Sequence, residues 1–368
     1  MTISLAPLFA PQTFGTLTVP TRWVMAPMTR GFSPNGVPTA EVLAYYERRA
    51  KHRVGLIVTE GVAIAHPAAV GGDDIPHFYG SEPLAAWRRI VEAVHAAGGR
   101  IVPQLWHQGL ERQHHDKPHT EARSVGPSGF NGKGELVGEP MSDGEIQAVI
   151  TAFAEGAATA KQLGFDGIEI HGAHGYLVDQ FFWAMTNRRT DSYGGSLAAR
   201  TRFAAEVVRA CRQAVGADFP IILRISQWKV ADYEAKLAKT PEELAQFLAP
   251  LSDAGVDIFH GSTRRFWEPE FPGSALNFAG WIKKLTGKPV ITVGSVGSDI
   301  DAVKELLRGQ TTGDSTLEKV LGMITRHEVD LVALGRPILA DPEWVSKVES
   351  ARAEALQPVP PGADERLY

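Results

Sequence analysis

The sequence predicts an α/β protein that folds as one closed (β/α)8 barrel, the TIM-barrel class, with loop insertions that cap the barrel. Short runs rich in β-branched residues alternate with longer helical stretches almost from end to end, which is typical of a parallel sheet. Polar residues follow nearly every predicted strand, as in a barrel, whereas an open doubly wound sheet binds its ligand at one switch point. The spacing of Gly294 and Gly297 also differs from the Gly-x-Gly-x-x-Gly pattern of a Rossmann fold.

Eight strands and nine main helices are predicted. The strands cover residues 22–28, 55–60, 100–105, 167–171, 220–225, 257–260, 289–293 and 330–334. The helices cover residues 39–50, 83–97, 142–163, 197–215, 241–254, 275–285, 300–307, 315–327 and 342–352. Two helix starts are clearly marked, because Ser142 and Glu145 form a capping-box pattern and Thr240 precedes Pro241 at the first helical position.

The length and composition favour one large domain of ordinary globular type. A chain of 368 residues is long for one core, but barrels with insertions reach this size as one domain. We therefore expect a barrel domain over residues 1–350 and a Pro-rich tail over residues 351–368. The net charge of −5 gives no basic footprint for nucleic acid or an anionic membrane, and no segment approaches 18 uninterrupted apolar residues. We expect a cytoplasmic protein without nucleic-acid or membrane partners, either monomeric or homo-oligomeric.

Cysteine and histidine usage argues against a metal centre. Cys211 is the only cysteine and falls in an apolar-periodic run, so we expect a buried thiol and no disulfide, Cys-ligated zinc or iron–sulfur cluster within the chain. His114, His115 and His119 lie in a polar segment, but their irregular spacing and the lack of accompanying carboxylate or thiol ligands favour a solvated capping loop. No metal site is predicted.

The segment 166–176 is the best candidate for a reaction site. A short apolar strand runs into His171, His174 and Tyr176, which are separated by small residues. Both imidazoles could therefore reach one acceptor atom, while the Tyr176 phenol offers a proton nearby. On these residues alone, a structural role or half of a metal site remains an equal alternative.

Two glycine-bearing segments follow the last two predicted strands. Gly294-Ser295 follows the seventh strand and Gly335-Arg336 follows the eighth. These loops hold a phosphate in many TIM barrels, where glycine lets backbone N–H groups approach the anion and Arg336 could add a charged contact. Either glycine alone is better explained by a tight turn. Their occurrence together, in these two positions, favours a phosphorylated ligand.

Seven motifs in order resemble the Old Yellow Enzyme family of FMN-dependent ene-reductases. They are VMAPMTR (24–30), GLIVTEG (55–61), QLWH (104–107), HGAHGYL (171–177), NRRTDSYGGS (187–196), LRIS (223–226) and LGRP (334–337). The resemblance extends from about residue 8 to residue 348.

The resemblance implies an FMN held non-covalently at the carboxyl end of the barrel. By analogy with the family, the isoalloxazine ring contacts Ala26, Pro27, Met28, Thr29, Gly61, Gln104 and Arg224, and the phosphate contacts Gly294, Ser295, Gly335 and Arg336. Thr29 would donate to the flavin carbonyl at C4, Gln104 would bond the pyrimidine edge, and Arg224 would stabilise negative charge near N1. For Arg224, a structural ion pair is the alternative suggested by the residue alone.

The resemblance also implies a reaction. NADPH or NADH reduces the flavin, and an activated alkene or nitro compound then receives the hydride. His171 and His174 would bind the substrate's carbonyl or nitro oxygen, and Tyr176 would protonate the α-carbon. Trp106 is a candidate substrate-binding wall, with a place in the core as an equal alternative.

The same sequence features are also compatible with other functions. A nitroester or nitroaromatic reductase could use the same scaffold, and a non-catalytic flavin carrier would not need Tyr176. A flavin-free phosphate-binding lyase or isomerase would need a catalytic lysine or carboxylate at a strand end, for which Glu60 is the best carboxylate candidate. Arg366 or Tyr368 could reach a neighbouring subunit's site, although we expect a frayed end.

Overall fold

A computed structural model describes residues 3–311 and 313–368; Met1 and Thr2, at the start of the predicted barrel domain, lie outside this range, as does Thr312. Ten strands are present in these residues: β1 Gln12–Phe14, β2 Leu17–Val19, β3 Trp23–Met25, β4 Leu56–Ala63, β5 Arg100–Trp106, β6 Ile168–His174, β7 Ile221–Lys229, β8 Ile258–Ser262, β9 Val290–Val293 and β10 Leu331–Leu334. Strands β3 to β10 are parallel neighbours, and β10 pairs with β3 to close the barrel. The predicted (β/α)8 barrel is confirmed.

All eight barrel strands overlap their predicted positions, but five end beyond the predicted residue, three of them by at least three residues. β4, β6 and β7 continue three or four residues past their predicted ends, to Ala63, His174 and Lys229. The pairing shifts register near the ends of β4 and β6, between Val58 and Gly61 and between Gly172 and His174. Such irregularities bend a strand and re-aim its side chains. Gly61 and His174 therefore lie within strands rather than in the loops that follow.

The amino-terminal hairpin was not predicted. β1 and β2 pair antiparallel, and Leu17 and Val19 are buried in one apolar cluster with residues inside the barrel, including Val24 and Leu56. Because Leu56 begins β4, this hairpin covers the amino-terminal end of the barrel. The carboxyl end is thereby left for ligands.

The helices mostly match prediction. Those of eight residues or more are Ala40–Lys51, Ser81–Ala96, Asp143–Leu163, Arg202–Val215, Pro241–Ala254, Phe278–Thr286, Ile300–Leu307 and Thr316–Thr325. Shorter helices span Ala6–Phe9, Leu177–Phe182, Leu197–Arg200, Arg336–Ala340 and Trp344–Glu349, with 3-10 turns at Pro34–Gly36, Gly109–Glu111, Ala353–Ala355 and Ala363–Glu365. Ser142 and Thr240 cap their helices as predicted. The predicted helix 197–215 is broken at Thr201, whose hydroxyl donates to Ala198 O.

The segment between β5 and the helix Asp143–Leu163 forms the predicted capping loop. The buried Arg112 anchors it, donating to Val70 O at 3.2 Å and to Ala122 O at 2.8 Å. His114 and His115 are exposed, in agreement with a solvated loop. Cys211 is buried as predicted, and burial raises the pKa of its thiol to about 12.

The carboxyl-terminal tail differs from the expected frayed end. Arg48 donates to Leu367 O at 3.2 Å, and Arg49 donates to Tyr368 O at 2.7 Å. Leu356 and Ala363 are buried. Two side chains of the helix Ala40–Lys51 thus hold the chain end against the barrel. Across the described residues, none of the helices combines the length and apolar character needed to cross a membrane.

Candidate active site

The fifteen site residues chosen from the sequence line one cavity at the carboxyl end of the barrel. Its volume is about 340 Å³, within the range of small-molecule sites. The residues are Ala26, Pro27, Met28, Thr29, Gly61, Gln104, Trp106, His171, His174, Tyr176, Arg224, Gly294, Ser295, Gly335 and Arg336. They come from the ends of seven barrel strands, so closure of the barrel brings together residues more than 300 positions apart.

The aromatic cluster at the end of β6 forms one side of this cavity. The rings of His171 and His174 are 5.1 Å apart and nearly perpendicular, and the ring of Tyr176 is 5.0 Å from that of His171. His174 has a φ of 68°, a left-handed conformation that is uncommon for a residue with a side chain. Its backbone N–H donates to Ser226 Oγ at 3.0 Å, which helps to hold this turn.

Both histidines are held in the neutral form. Burial lowers their pKa values well below the usual range, and the guanidinium of Arg224 lowers them further. The backbone N–H of Ala173 donates to His171 Nδ1 at 3.3 Å, so the ring proton of His171 resides on Nε2. His174 Nε2 shares a hydrogen bond of 2.8 Å with Ser262 Oγ. A neutral imidazole retains one N–H donor, which suits an oxygen ligand.

A buried ion pair holds the turn that carries Tyr176. Asp179 Oδ1 accepts from Lys229 Nζ at 2.8 Å, and both side chains are fully buried. Asp179 Oδ2 also accepts from the backbone N–H of Gly175 at 2.6 Å. Because Lys229 ends β7 and Asp179 lies in the helix that follows β6, this pair locks the turn onto the neighbouring strand.

Beneath the cavity, a second buried network orients Gln104. Gln104 Nε2 donates to Glu169 Oε1 at 2.8 Å, and His260 Nδ1 is 2.7 Å from Glu169 Oε2. Since a carboxylate oxygen accepts, Gln104 must turn its NH2 group toward Glu169, which leaves its carbonyl oxygen for a ligand's N–H. Glu169 and His260 are fully buried.

Arg224 has unused hydrogen-bonding capacity at the cavity wall. Its Nη2 donates to Ser262 Oγ at 3.3 Å, whereas its buried Nε has no partner among the described residues. Burial lowers its pKa, and the nearby Glu169 carboxylate opposes that shift. An unpaired buried N–H is costly unless a ligand satisfies it. This orphaned donor fits the electron-rich edge of a flavin.

Glu60 fixes the segment that carries Thr29. Its Oε2 accepts from the backbone N–H of Arg30 at 2.9 Å and of Gly31 at 3.2 Å. Complete burial raises the pKa of Glu60 to about 7, although these hydrogen bonds oppose the shift. Glu60 is therefore a structural anchor and does not line the cavity.

Trp106 explains why position 61 is glycine. A Cβ atom at Gly61 would lie 2.5 Å from the Trp106 indole, far inside van der Waals contact. Trp106 is 4% exposed and lines the cavity, with its ring 5.0 Å from that of Tyr176. It is therefore both a packed residue and a wall of the site.

The opposite side of the cavity consists largely of backbone. Gly294 has a φ of 147°, and a Cβ there would lie 2.6 Å from Thr263 Oγ1. Ser295 donates to Arg264 O at 3.0 Å, and Arg336 Nη2 donates to Ser295 Oγ at 3.2 Å. Gly335 precedes the short helix Arg336–Ala340, which was not predicted. Backbone donors beside an arginine suit a phosphate group.

Sequence reasoning missed several residues of the site. Trp228, Ser262 and Arg264 line the cavity, and Glu169 and Lys229 support it. Charged residues within apolar strand sequences were the signal that could have revealed Glu169 and Lys229. A carboxylate or lysine inside a fully buried strand requires a partner. In the described part of the chain, no group of three or more His, Cys, Asp or Glu residues is placed to bind a metal ion.

Comparisons with known proteins agree with this geometry. A family model described as "NADH:flavin oxidoreductase / NADH oxidase family" matches residues 7–355. The NADH oxidase of Thermoanaerobacter brockii is 32% identical over 359 residues, covering 95% of this chain and 52% of that protein. The chain thus spans about half the length of that relative.

Two solved structures match over almost their full length. Morphinone reductase in complex with tetrahydroNAD aligns with a TM-score of 0.80 and 27% identity, covering 97% of this chain and 93% of that one. The old yellow enzyme homologue from Zymomonas mobilis aligns with a TM-score of 0.78 and 25% identity, covering 97% and 96%. The barrel fold is therefore shared with both of these proteins.

Proposed function

Because the chain belongs to the Old Yellow Enzyme family of FMN-dependent NADH:flavin oxidoreductases, we propose that it reduces activated alkenes or nitro compounds with NADPH or NADH. The single observation that carries this proposal is the convergence of His171, His174 and Tyr176 with the orphaned Arg224 donor on one cavity. FMN, bound non-covalently, would supply the two-electron chemistry.

Two parts of the cavity would hold the FMN. Arg224 Nε and the Gln104 carbonyl oxygen offer a donor and an acceptor to the polar edge of the ring, and Thr29 offers a hydroxyl. The loops at Ser295 and Arg336 would hold the phosphate. A fixed guanidinium stabilises negative charge on the ring and so favours its reduced form.

His171 and His174 would hold the substrate's carbonyl or nitro oxygen. Since both imidazoles are neutral, each donates a hydrogen bond without carrying a buried charge. These bonds strengthen as negative charge develops on that oxygen, which lowers the barrier. Trp106 and Trp228 would flank the substrate and limit its exposure to water.

Tyr176 would deliver a proton to the α-carbon. Burial raises the pKa of its phenol, so the proton stays on Tyr176 until a strong base forms beside it. Its ring lies against Trp106 and His171, which fixes its direction. The phenol would regain its proton from solvent.

Purification and a visible spectrum test the cofactor assignment. We expect a yellow protein that releases FMN on denaturation and reduces cyclohexenone with NADPH or NADH. A colourless protein that takes up no FMN would refute the proposal. Nitroalkenes and nitrate esters assayed in parallel define the preferred substrate class.

Tyr176→Phe tests the proton donor. We expect the reoxidation of reduced enzyme by cyclohexenone to slow by about 10²–10⁴-fold, the usual contribution of a positioned acid, with flavin reduction unchanged. Stopped-flow measurement of each half-reaction separates the two steps. Tyr79→Phe, outside the cavity, is the control, and equal rates for the two variants would remove Tyr176 as the donor.

A further inference from the structure

A second cavity adjoins the first, between the loops that follow β7 and β8. Its volume is about 600 Å³, also within the range of ligand sites. Trp228, Ser262 and Arg264 line both cavities, as do Ser295 and Arg336 at the phosphate side. Because the two cavities share these walls, a ligand bound in the first cavity can extend directly into the second.

The side chains of the second cavity include two cations, Arg264 and Arg336, that make no ion pair among the described residues. Its lining carries four basic and three acidic residues, a net charge of +1. Lys236 pairs with Glu270 at 2.6 Å, and Arg265 pairs with Glu268 at 3.0 Å. Among the described residues, the Arg264 guanidinium makes no ion pair.

Arg264 is also held in place. Its guanidinium carbon lies 3.9 Å from the centroid of the Tyr233 ring, a close cation–π contact. Tyr233 is 52% exposed, so its ring remains accessible to a planar ligand. A guanidinium stacked on an aromatic ring keeps its N–H edge free for a phosphate.

We infer that this second cavity binds the adenosine diphosphate half of the nicotinamide reductant, with Arg264 contacting its phosphates; this inference rests on the proposed function. The chain lacks the Gly-x-Gly-x-x-Gly motif by which a Rossmann fold holds a dinucleotide, and the second cavity offers loops beside the flavin site for that role. The cavity meets three needs of that half-molecule: space, a free cation and an exposed aromatic ring. Arg336 lies nearer the FMN phosphate loop, hydrogen-bonded to Ser295.

The test compares reductants that share the nicotinamide but differ beyond it. FMN-loaded Arg264→Gln is reduced anaerobically with NADH, with NADPH and with reduced nicotinamide mononucleotide, which lacks the adenylate. We expect the Kd for both dinucleotides to rise about tenfold, the effect of losing one charge-assisted hydrogen bond, with the mononucleotide unaffected. Arg209→Gln, which removes the same charge from an exposed position of the helix Arg202–Val215 outside both cavities, is the control and should change each Kd less than about threefold.

Three outcomes would overturn the inference. If the Kd of the mononucleotide rises as much as that of the dinucleotides, Arg264 acts elsewhere than on the adenosine diphosphate. If Arg264→Gln binds FMN more weakly, Arg264 contacts the flavin phosphate. If the flavin of Arg264→Gln is reduced normally and the Kd of neither dinucleotide rises, the inference is also refuted, while the proposed function stands. Failure of all three reductants to bleach the flavin of the unmodified enzyme would instead overturn both proposals.

Discussion

The two sides of the cavity are built by different means. The side near β5 to β7 consists of side chains held by buried charges: Glu169 orients Gln104, and the Asp179–Lys229 pair locks the turn before Tyr176. The side near β9 and β10 consists of glycine backbone, with Arg336 exposed. Catalytic donors need fixed directions, whereas a phosphate accepts hydrogen bonds from many directions.

This difference predicts where substitutions act. On the catalytic side, loss of one buried partner leaves an unpaired charge and threatens the fold itself. On the phosphate side, the loops depend on open space and on the backbone conformation of glycine. Adding a single methyl group, by changing glycine to alanine, therefore tests this side best. Three substitutions test this contrast, from the largest expected effect to the smallest.

Asp179→Ala should have the largest effect. It leaves the Lys229 ammonium fully buried without its partner, and breaking such a pair costs roughly 3–5 kcal/mol of unfolding free energy. Urea denaturation measures the loss. The control is Glu47→Ala, which breaks the partly exposed pair with Lys51 and should cost less than about 1 kcal/mol. Similar values for the two variants would contradict the role of the buried pair.

Glu60 should make stability fall as the pH rises. Its folded-state pKa of about 7 exceeds its ordinary value of 4.5, so the folded protein keeps a proton that the unfolded chain loses between these pH values. Above pH 7, ionisation of the buried Glu60 therefore lowers the unfolding free energy by up to about 3 kcal/mol, at 1.36 kcal/mol for each unit of pKa difference. Glu60→Gln should therefore gain in stability relative to the unmodified protein between pH 4.5 and pH 7.

The control for this pH effect is Glu155→Gln, on the exposed face of the helix Asp143–Leu163. Urea unfolding of all three proteins at pH 5 and pH 8 separates Glu60 from other titrating groups. A difference between Glu60→Gln and the unmodified protein that stays constant with pH would show that Glu60 does not titrate in this range.

Gly294→Ala should have the smallest effect on the fold but should weaken FMN binding. The new Cβ meets both Thr263 Oγ1 and Thr263 O within 2.7 Å at a φ of 147°, and such strain costs roughly 1–3 kcal/mol. Fluorescence titration of apoprotein with FMN measures the change. Gly138→Ala, where a Cβ has open space, is the control. Unchanged FMN affinity in Gly294→Ala would argue against phosphate binding at this loop.

Much of the barrel and of the cavity lining was predictable. Each barrel strand carried an apolar run, and the fifteen predicted lining residues meet in one cavity. The extended ends of β4, β6 and β7 were not predictable, because register shifts depend on the neighbouring strand. The break at Thr201 and the docking of Tyr368 onto Arg49 also depend on contacts distant in sequence.

The sequence by itself determined the barrel class and the residues that approach the ligand, because strand periodicity and short motifs are local properties of the chain. Only the tertiary structure decided which groups support them. Glu169 lies 91 positions from His260, and Asp179 lies 50 from Lys229. These pairs exist because the closed barrel places β6 to β8 side by side and excludes water from the side chains between them. In that low-dielectric interior each charge requires a partner, and the fold alone brings the partners together.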